Sequence, residues 1–230
     1  MAFKTALIVG TGPGLSASLA RLFTKHGLQV AMASRNPEKL AKLAEETAGI
    51  TFACEATEPE EVAGLFDAVV ATMGAPDIVV YNASARARGP VTDLVPEEVA
   101  RAIAVSAYGG FLVAQQAARL MAARGSGAIL LTGASASVKG YPNSSAFAMG
   151  KFALRGLAQS MARELSPVGV HVAHFVIDGG IRSATRVVPG NAPDSLLNPD
   201  DIAETYWYVA NQPRSAWTWE VELRPWVEKF

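Results

Sequence analysis

The residues best equipped for chemistry sit near the start of the chain. Gly10, Gly12 and Gly14, interleaved with Thr11 and Pro13 and followed by Leu15 and Ser16, stand between a short apolar run and the opening of a helical pattern. Glycines let the backbone turn sharply and come close to a diphosphate. The free N–H groups and partial positive charge of the helix N-terminus then hold it. A glycine triplet alone is a weak signal, and a tight strand–helix turn is its plain reading. Its position directly after the first strand of an alternating chain favours a dinucleotide site. The second strand ends in Ser34 and Arg35. An acidic residue there would bond the ribose 2′-hydroxyl of NAD. A hydroxyl and a guanidinium suit a 2′-phosphate instead, so NADP(H) is favoured over NAD(H).

Further along, Ser135, Ser137 and Tyr141 offer hydroxyls, Lys151 an amine and His174 an imidazole. Each has a structural reading beside the chemical one. The serines can bond local backbone, Tyr141 can cover the core, and a histidine inside an apolar strand is commonly a satisfied core residue. Trp207, Trp217, Trp219 and Trp226 are read as core and subunit contacts, with a substrate pocket as the second reading. No set of residues has metal-ligand spacing.

The elements that must position these groups alternate between short apolar runs and longer helical stretches. Strands are expected at Phe3–Val9, Gln29–Ala33, Ile50–Cys54, Asp77–Tyr81, Ala128–Thr132, Val170–Ile177 and Glu220–Leu223. Helices are expected from Gly14 to His26, Pro37 to Thr47, Pro59 to Met73, Pro96 to Ala123, Ser144 to Leu165 and Pro199 to Asn211. Uniformly apolar runs such as 77–81 fit parallel strands covered on both faces. The pattern predicts an α/β chain with a doubly wound parallel sheet of about seven strands and right-handed crossovers. Residues 1–230 are read as one domain, and Ser183–Asn198 as a long loop, functional or mobile.

Composition removes other classes. Half of the 230 residues are hydrophobic, 18% are charged and the net charge is −1, so nothing suggests capture of nucleic acid or an anionic membrane. A lone cysteine, Cys54, excludes an internal disulfide framework. Met1-Ala2-Phe3-Lys4 carries no secretory leader pattern, and no run approaches the roughly 18 apolar residues of a membrane span. A cytoplasmic location is expected.

Taken together these motifs resemble the short-chain dehydrogenase/reductase family over nearly the whole chain. In its T-G-x-x-x-G-x-G signature, Gly10 and Gly14 match, Val9 holds the threonine position and Ser16 replaces the last glycine. Glu55-Ala56 is similar to the Asp-Val pair bordering the adenine, and Asn82-Ala83-Ser84 to the N-A-G segment. Asp178-Gly179-Gly180-Ile181 is similar to the P-G-x-V/I turn, whose aliphatic residue meets the nicotinamide carboxamide. Phe147-Ala148-Met149-Gly150-Lys151 is similar to Y-x-x-x-K, with Lys151 matching and Phe147 at the tyrosine position. The resemblance further puts Ala134 at the catalytic serine position, beside Ser135 and Ser137, and Ser106 at the asparagine position. It implies a Rossmann fold, and a homodimer or homotetramer formed through the two long central helices, where Ala102, Ala104, Ala107, Gly109, Ala153, Gly156, Ala158 and Ala162 permit close approach.

Phenylalanine has no proton to give, and a positioned acid or base contributes about 10²–10⁴-fold in rate. The expected function is therefore an NADP(H)-dependent oxidoreductase acting on a small carbonyl or alcohol with altered acid/base groups, Lys151, Ser135 and Tyr141 being the candidates. The alternative is a non-catalytic dinucleotide-binding protein, a sensor or partner subunit, of the same fold.

Overall fold

The computed structural model describes residues 3–183 and 185–228; Met1 and Ala2 of the leader reading, and Ala184 of the long loop, lie outside them. Seven strands form one parallel sheet in the order β3-β2-β1-β4-β5-β6-β9. They are β1 (Thr5–Val9), β2 (Gln29–Ser34), β3 (Ile50–Ala53), β4 (Ile78–Tyr81), β5 (Gly127–Thr132), β6 (Val170–Ile177) and β9 (Glu220–Leu223). The central strands β1, β4, β5 and β6 are buried along their whole length, as their largely apolar sequences require.

Alternate side chains of each strand feed two separate cores. Leu7, Val9, Val79 and Tyr81 point to one face, covered by α3 (Pro59–Met73), α5 (Gly109–Arg124) and α6 (Ser145–Leu165). Ala6, Ile8, Ile78 and Val80 point to the other, covered by α1 (Leu15–Lys25), α2 (Ala41–Thr47) and α7 (Pro199–Ala210). The strand order reverses at β1, whose neighbours are β2 and β4. That switch point opens a crevice at the carboxyl ends of the strands, where doubly wound sheets take ligands.

Three local departures from the sequence reading matter. The single helix expected from Pro96 to Ala123 is divided: α4 (Pro96–Ile103) passes through a π-helical turn at Ala104–Tyr108 before α5. The wider turn carries the Val105 carbonyl to the Tyr81 hydroxyl, which donates to it, and it buries Ser106 completely. An inserted residue of this kind leaves no trace in apolar periodicity. The loop after β6 contains a small parallel pair, β7 (Gly180–Ile181) with β8 (Leu196–Leu197), too short to show as a pattern. The stretch Pro37–Leu40 is a 3₁₀ turn leading into α2.

The small residues expected to mediate helix approach between subunits divide too. Ala102, Gly109, Ala158 and Ala162 are buried within the chain. A Cβ on Gly109 would come within 2.5 Å of the Tyr81 hydroxyl. Only part of that set, including Ala153 and Gly156, is exposed, alongside Tyr108, Phe111, Met149 and Phe152. Among the described residues no helix is long and apolar enough to cross a membrane.

Candidate active site

A cleft of about 420 Å³ lies over the switch point, lined at one end by Gly10, Gly12 and Pro13. Gly10 holds φ at +84°, where a side chain is strained, and a Cβ there would collide with the Ala83 backbone. A Cβ on Gly12 or Gly14 would meet nothing within 4 Å, so the loop leaves open room above it. Gly14 caps α1, whose first turn has no acidic residue, and Leu15 begins the helix. Its free N–H groups are those a diphosphate would need. Ser16, at the position of a family glycine, accepts from Asn82 Nδ2 at 2.6 Å and donates to the Gly10 carbonyl at 3.2 Å. The hydroxyl thus ties the loop to the end of β4. Thr11 Oγ1 fastens it to Ile8 at 2.8 Å.

The other end of the cleft is lined by Ser34, Arg35, Glu55 and Ala56, with Asn82 and Ala83 on the floor. Ser34 Oγ is buried without a hydrogen-bond partner among the described residues. An orphaned hydroxyl facing a cleft is what a bound ligand would satisfy. The Arg35 side chain is 65% exposed and sits 4.0 Å from a Glu55 carboxylate oxygen, a loose pair that leaves its donors free to turn. Lys39 lines the same end. The Cys54 thiol is pushed up to about 11 by burial and by Glu61 and Glu55, so it stays protonated and is no nucleophile. An orphaned hydroxyl, an open glycine cradle and two cations fit a phosphorylated dinucleotide.

Lys151, on α6, is 2% exposed and donates through Nζ to the Thr132 carbonyl at 2.6 Å. Burial first, then the nearby Arg86 guanidinium, pull its pKa down to about 7. Phe147 lies one turn earlier, its ring centroid 5.9 Å from Lys151 Nζ and 4.0 Å from the Arg86 guanidinium carbon. Ser137 is fully buried and accepts from the Ala134 N–H at 3.1 Å, which realises its structural reading. Ser135, in the short 3₁₀ turn Ser135–Ser137, is half-buried and makes no side-chain hydrogen bond among the described residues. Ser106 Oγ reaches the Ala85 backbone at 3.5 Å, and the approach of α6 is close there because a Cβ on Gly150 would lie 2.7 Å from the Ser106 Cβ.

Tyr141 is 44% exposed beside Lys139, whose ammonium lies 5.9 Å from its ring centroid. Tyr141 and Asp178 hold the Lys139 pKa up. His174 is fully buried behind Gly133, bonded through Nδ1 to Glu220 at 3.0 Å, while Nε2 has no partner among the described residues. Burial pulls it down to about 4 against the opposing pull of Glu220, so it is neutral near pH 7. Burial raises the Glu220 carboxyl, but bidentate Arg155 and His174 outweigh it and the net shift is downward.

Gly10, Gly12, Pro13, Ser34, Arg35, Glu55, Ala56, Asn82 and Ala83 therefore share one cleft. Gly14 and Leu15 begin the helix behind it. Lys151, Ser135, Tyr141, Phe147, Gly179 and Ile181 lie outside its lining, Gly179 beside Pro225 and Ile181 paired with Leu197. The tryptophans do not form a cluster. Trp207 stacks on His26, Trp217 on His171, Trp219 lies near Arg155, and Trp226 is 82% exposed. Sequence reasoning passed over Arg86, Lys39 and Arg101. The basic residues of Ser84-Ala85-Arg86-Ala87-Arg88 directly after β4 were the signal available for the first.

A family model described as short chain dehydrogenase matches residues 4–188. An uncharacterised oxidoreductase of Staphylococcus aureus (strain N315) is 28% identical over 228 residues, covering 96% of this chain and 97% of that protein. The crystal structure of a short-chain dehydrogenase from Rhodopseudomonas palustris is 34% identical, with a TM-score of 0.85 over 97% of this chain and 99% of that one. A metagenomic short-chain oxidoreductase in complex with NADP is 27% identical, with a TM-score of 0.83 over 96% and 97%.

Proposed function

The chain belongs to the short-chain dehydrogenase family, and from that premise we propose that it is an NADP(H)-dependent oxidoreductase of a small carbonyl or alcohol substrate whose proton-handling group is Lys151. The observation that carries this reading is the buried amine of Lys151, its pKa pulled down to about 7, one helical turn from a ring that lacks a hydroxyl. A general acid works best when its pKa lies near the operating pH.

When bound, the nicotinamide supplies the hydride that the reduction consumes. The rest falls to the chain. Gly10, Gly12, Pro13, Gly14 and Leu15 cradle the diphosphate, and Ser34 and Arg35 take the 2′-phosphate. Glu55, Ala56, Asn82 and Ala83 line the cleft between, and Gly179 and Ile181 bound the carboxamide end. The NADP complex of the metagenomic relative supports the choice of cofactor. Lys151 Nζ would hold the nicotinamide ribose and supply the proton that the substrate oxygen takes up on reduction. Ser135, whose hydroxyl is otherwise unbonded, orients the substrate carbonyl, and Tyr141 closes the entrance beside it. Asp178 and Lys139 fix that loop through a 3.2 Å ion pair. We further propose one domain, a cytoplasmic location, and a homodimer or homotetramer built on the exposed faces of α5 and α6.

One observation favours the alternative of a binding protein without turnover. The ring at the tyrosine position is a phenylalanine, covered on one face by the Arg86 guanidinium, and so has no proton to give. Spectrophotometric assay of NADPH oxidation with aldehydes, ketones and enones decides between the two. The enzyme reading expects turnover that Lys151→Met removes. Tight NADPH binding with no turnover would establish the binding protein.

A further inference from the structure

Three arginines gather around Phe147 and the segment after β4, next to the cleft residues Ser84 and Ala85. Arg86 lays its guanidinium carbon 4.0 Å from the Phe147 ring centroid. Arg186 packs along Gly180, in the turn after β6, so that a Cβ there would lie 3.4 Å from Arg186 Nη1. Arg88 and Arg186 are both near enough to Arg86 to lower its pKa, after the effect of burial. Lys151, also near Arg86, adds a fourth basic group.

Among the described residues no carboxylate forms an ion pair with Arg86, Arg88 or Arg186. Other basic side chains are neutralised: Arg155 by Glu220 and Lys139 by Asp178. Like charges held together without a counter-charge repel, and because Arg86, Arg88 and Arg186 are exposed, solvent screens part of this repulsion. A bound anion would relieve that repulsion. Guanidinium is suited to the role, since stacking on an aromatic face leaves its in-plane N–H donors for a carboxylate or phosphate. The cofactor's own phosphates are accounted for at the Gly10–Leu15 loop and at Ser34 and Arg35, away from this cluster.

We propose that Arg86, with Arg88 and Arg186, binds the anionic group of the substrate, so that the protein acts on a carbonyl compound carrying a carboxylate or a phosphate. This rests on the oxidoreductase reading above. The anion seats beside Phe147, and the carbonyl of the same molecule then faces Lys151 and Ser135. Phe147 supplies the apolar surface against which a short carbon chain between the two groups packs.

The test is calorimetric titration of the NADPH-saturated protein with matched pairs, levulinate against methyl levulinate and dihydroxyacetone phosphate against dihydroxyacetone, followed by NADPH oxidation assays on the same compounds. The charged member of at least one pair should bind about tenfold or more tightly than its neutral partner, and added salt should shrink the difference. Which pair responds separates carboxylate from phosphate. Arg86→Gln should bring the ratio close to one, and Arg186→Gln should reduce it with NADPH affinity retained. Selective binding of the anion without turnover would keep the anion site and defeat the oxidoreductase reading. Turnover of neutral and charged members with equal efficiency would keep that reading and overturn this inference. Failure of both charged compounds to bind better than their neutral partners, in a protein that binds NADPH, would overturn it as well.

Discussion

The Arg86 guanidinium carbon sits 4.0 Å from the centroid of the Phe147 ring, and Lys151 Nζ lies 5.9 Å from the same centroid. One apolar ring is thus in contact range of two basic groups that have no acid partner among the described residues. A phenol at this place would sit near two cations that favour its ionised form. With phenylalanine there, the same cations act on whatever enters the cleft.

The buried lysine makes the stability of the cofactor-free protein depend on pH. An unfolded lysine titrates near its ordinary value of about 10.4, whereas Lys151 is pulled down to about 7 by burial and Arg86. Between these values the unfolded chain holds a proton that the folded chain has released, so stability should rise with pH across roughly 7 to 10. Below about 7 both states are protonated and the cost of burying the charge is present in full. Thermal denaturation of Lys151→Met should show a flatter profile and, at neutral pH, a higher melting temperature than the parent, a gain on the order of 1–3 kcal/mol. An unchanged slope would mean that Lys151 is solvated.

Cofactor choice should follow Arg35. Its side chain is 65% exposed, so its contribution is at the low end for a charge-assisted bond. Arg35→Ala should weaken NADPH binding about tenfold and NADH binding little. Glu55→Gln, which removes the loose partner of Arg35, should tighten NADPH modestly. Calorimetric titrations with both cofactors measure this.

The tie between Ser16 and Asn82 should matter for stability. Ser16 is 1% exposed and bonds both Asn82 and Gly10. Ser16→Ala leaves the Asn82 amide without that acceptor and should cost about 1–2 kcal/mol, read as a lower denaturation midpoint. It should also loosen the glycine loop, raising the Kd for NADPH. A neutral effect on both would make the serine incidental.

Assembly should depend on the exposed aromatic side chains rather than on the buried alanines. Tyr108 and Phe111 stack at 6.3 Å, and Phe111 and Phe152 are 40% and 44% exposed. Exposed aromatics on adjoining helices suit a subunit interface. Phe152→Glu should shift the protein to monomers in light scattering, with helical circular dichroism unchanged. A parent protein that is already monomeric would refute the assembly proposal.

Much of this was legible in the chain, for reasons that differ by element. The strands β1, β4, β5 and β6 could be read because parallel strands covered on both faces must be apolar throughout. The glycine loop could be read because only a small set of sequences allows a tight turn with open space above Gly12 and Gly14. The π turn at Ala104–Tyr108 could not, since one extra residue in a helix changes hydrogen bonding and not composition. Small size did not tell whether Ala158 and Gly109 faced a partner or their own sheet; only the packing against Tyr81 and the core settles that. Nor did four tryptophans in the C-terminal stretch imply a cluster, because the elements carrying them diverge. Arg86 was hidden for another reason. A basic residue in a loop usually points to solvent, and its place over Phe147 follows from how the segment after β4 folds against α6.

The account stands most directly on whether the unmodified chain turns over without a tyrosine. Steady-state oxidation of NADPH by the parent protein, Lys151→Met, Ser135→Ala, Tyr141→Phe and Phe147→Tyr, on charged and neutral carbonyl compounds, measures it. The parent should be active, Lys151→Met should lose about 10²–10⁴-fold in kcat/KM, and Phe147→Tyr should leave activity unchanged or lower it. A parent protein that binds NADPH without turnover, with activity appearing only once Phe147 is replaced by tyrosine, would contradict the central claim and identify the chain as a dinucleotide-binding protein that has lost its acid.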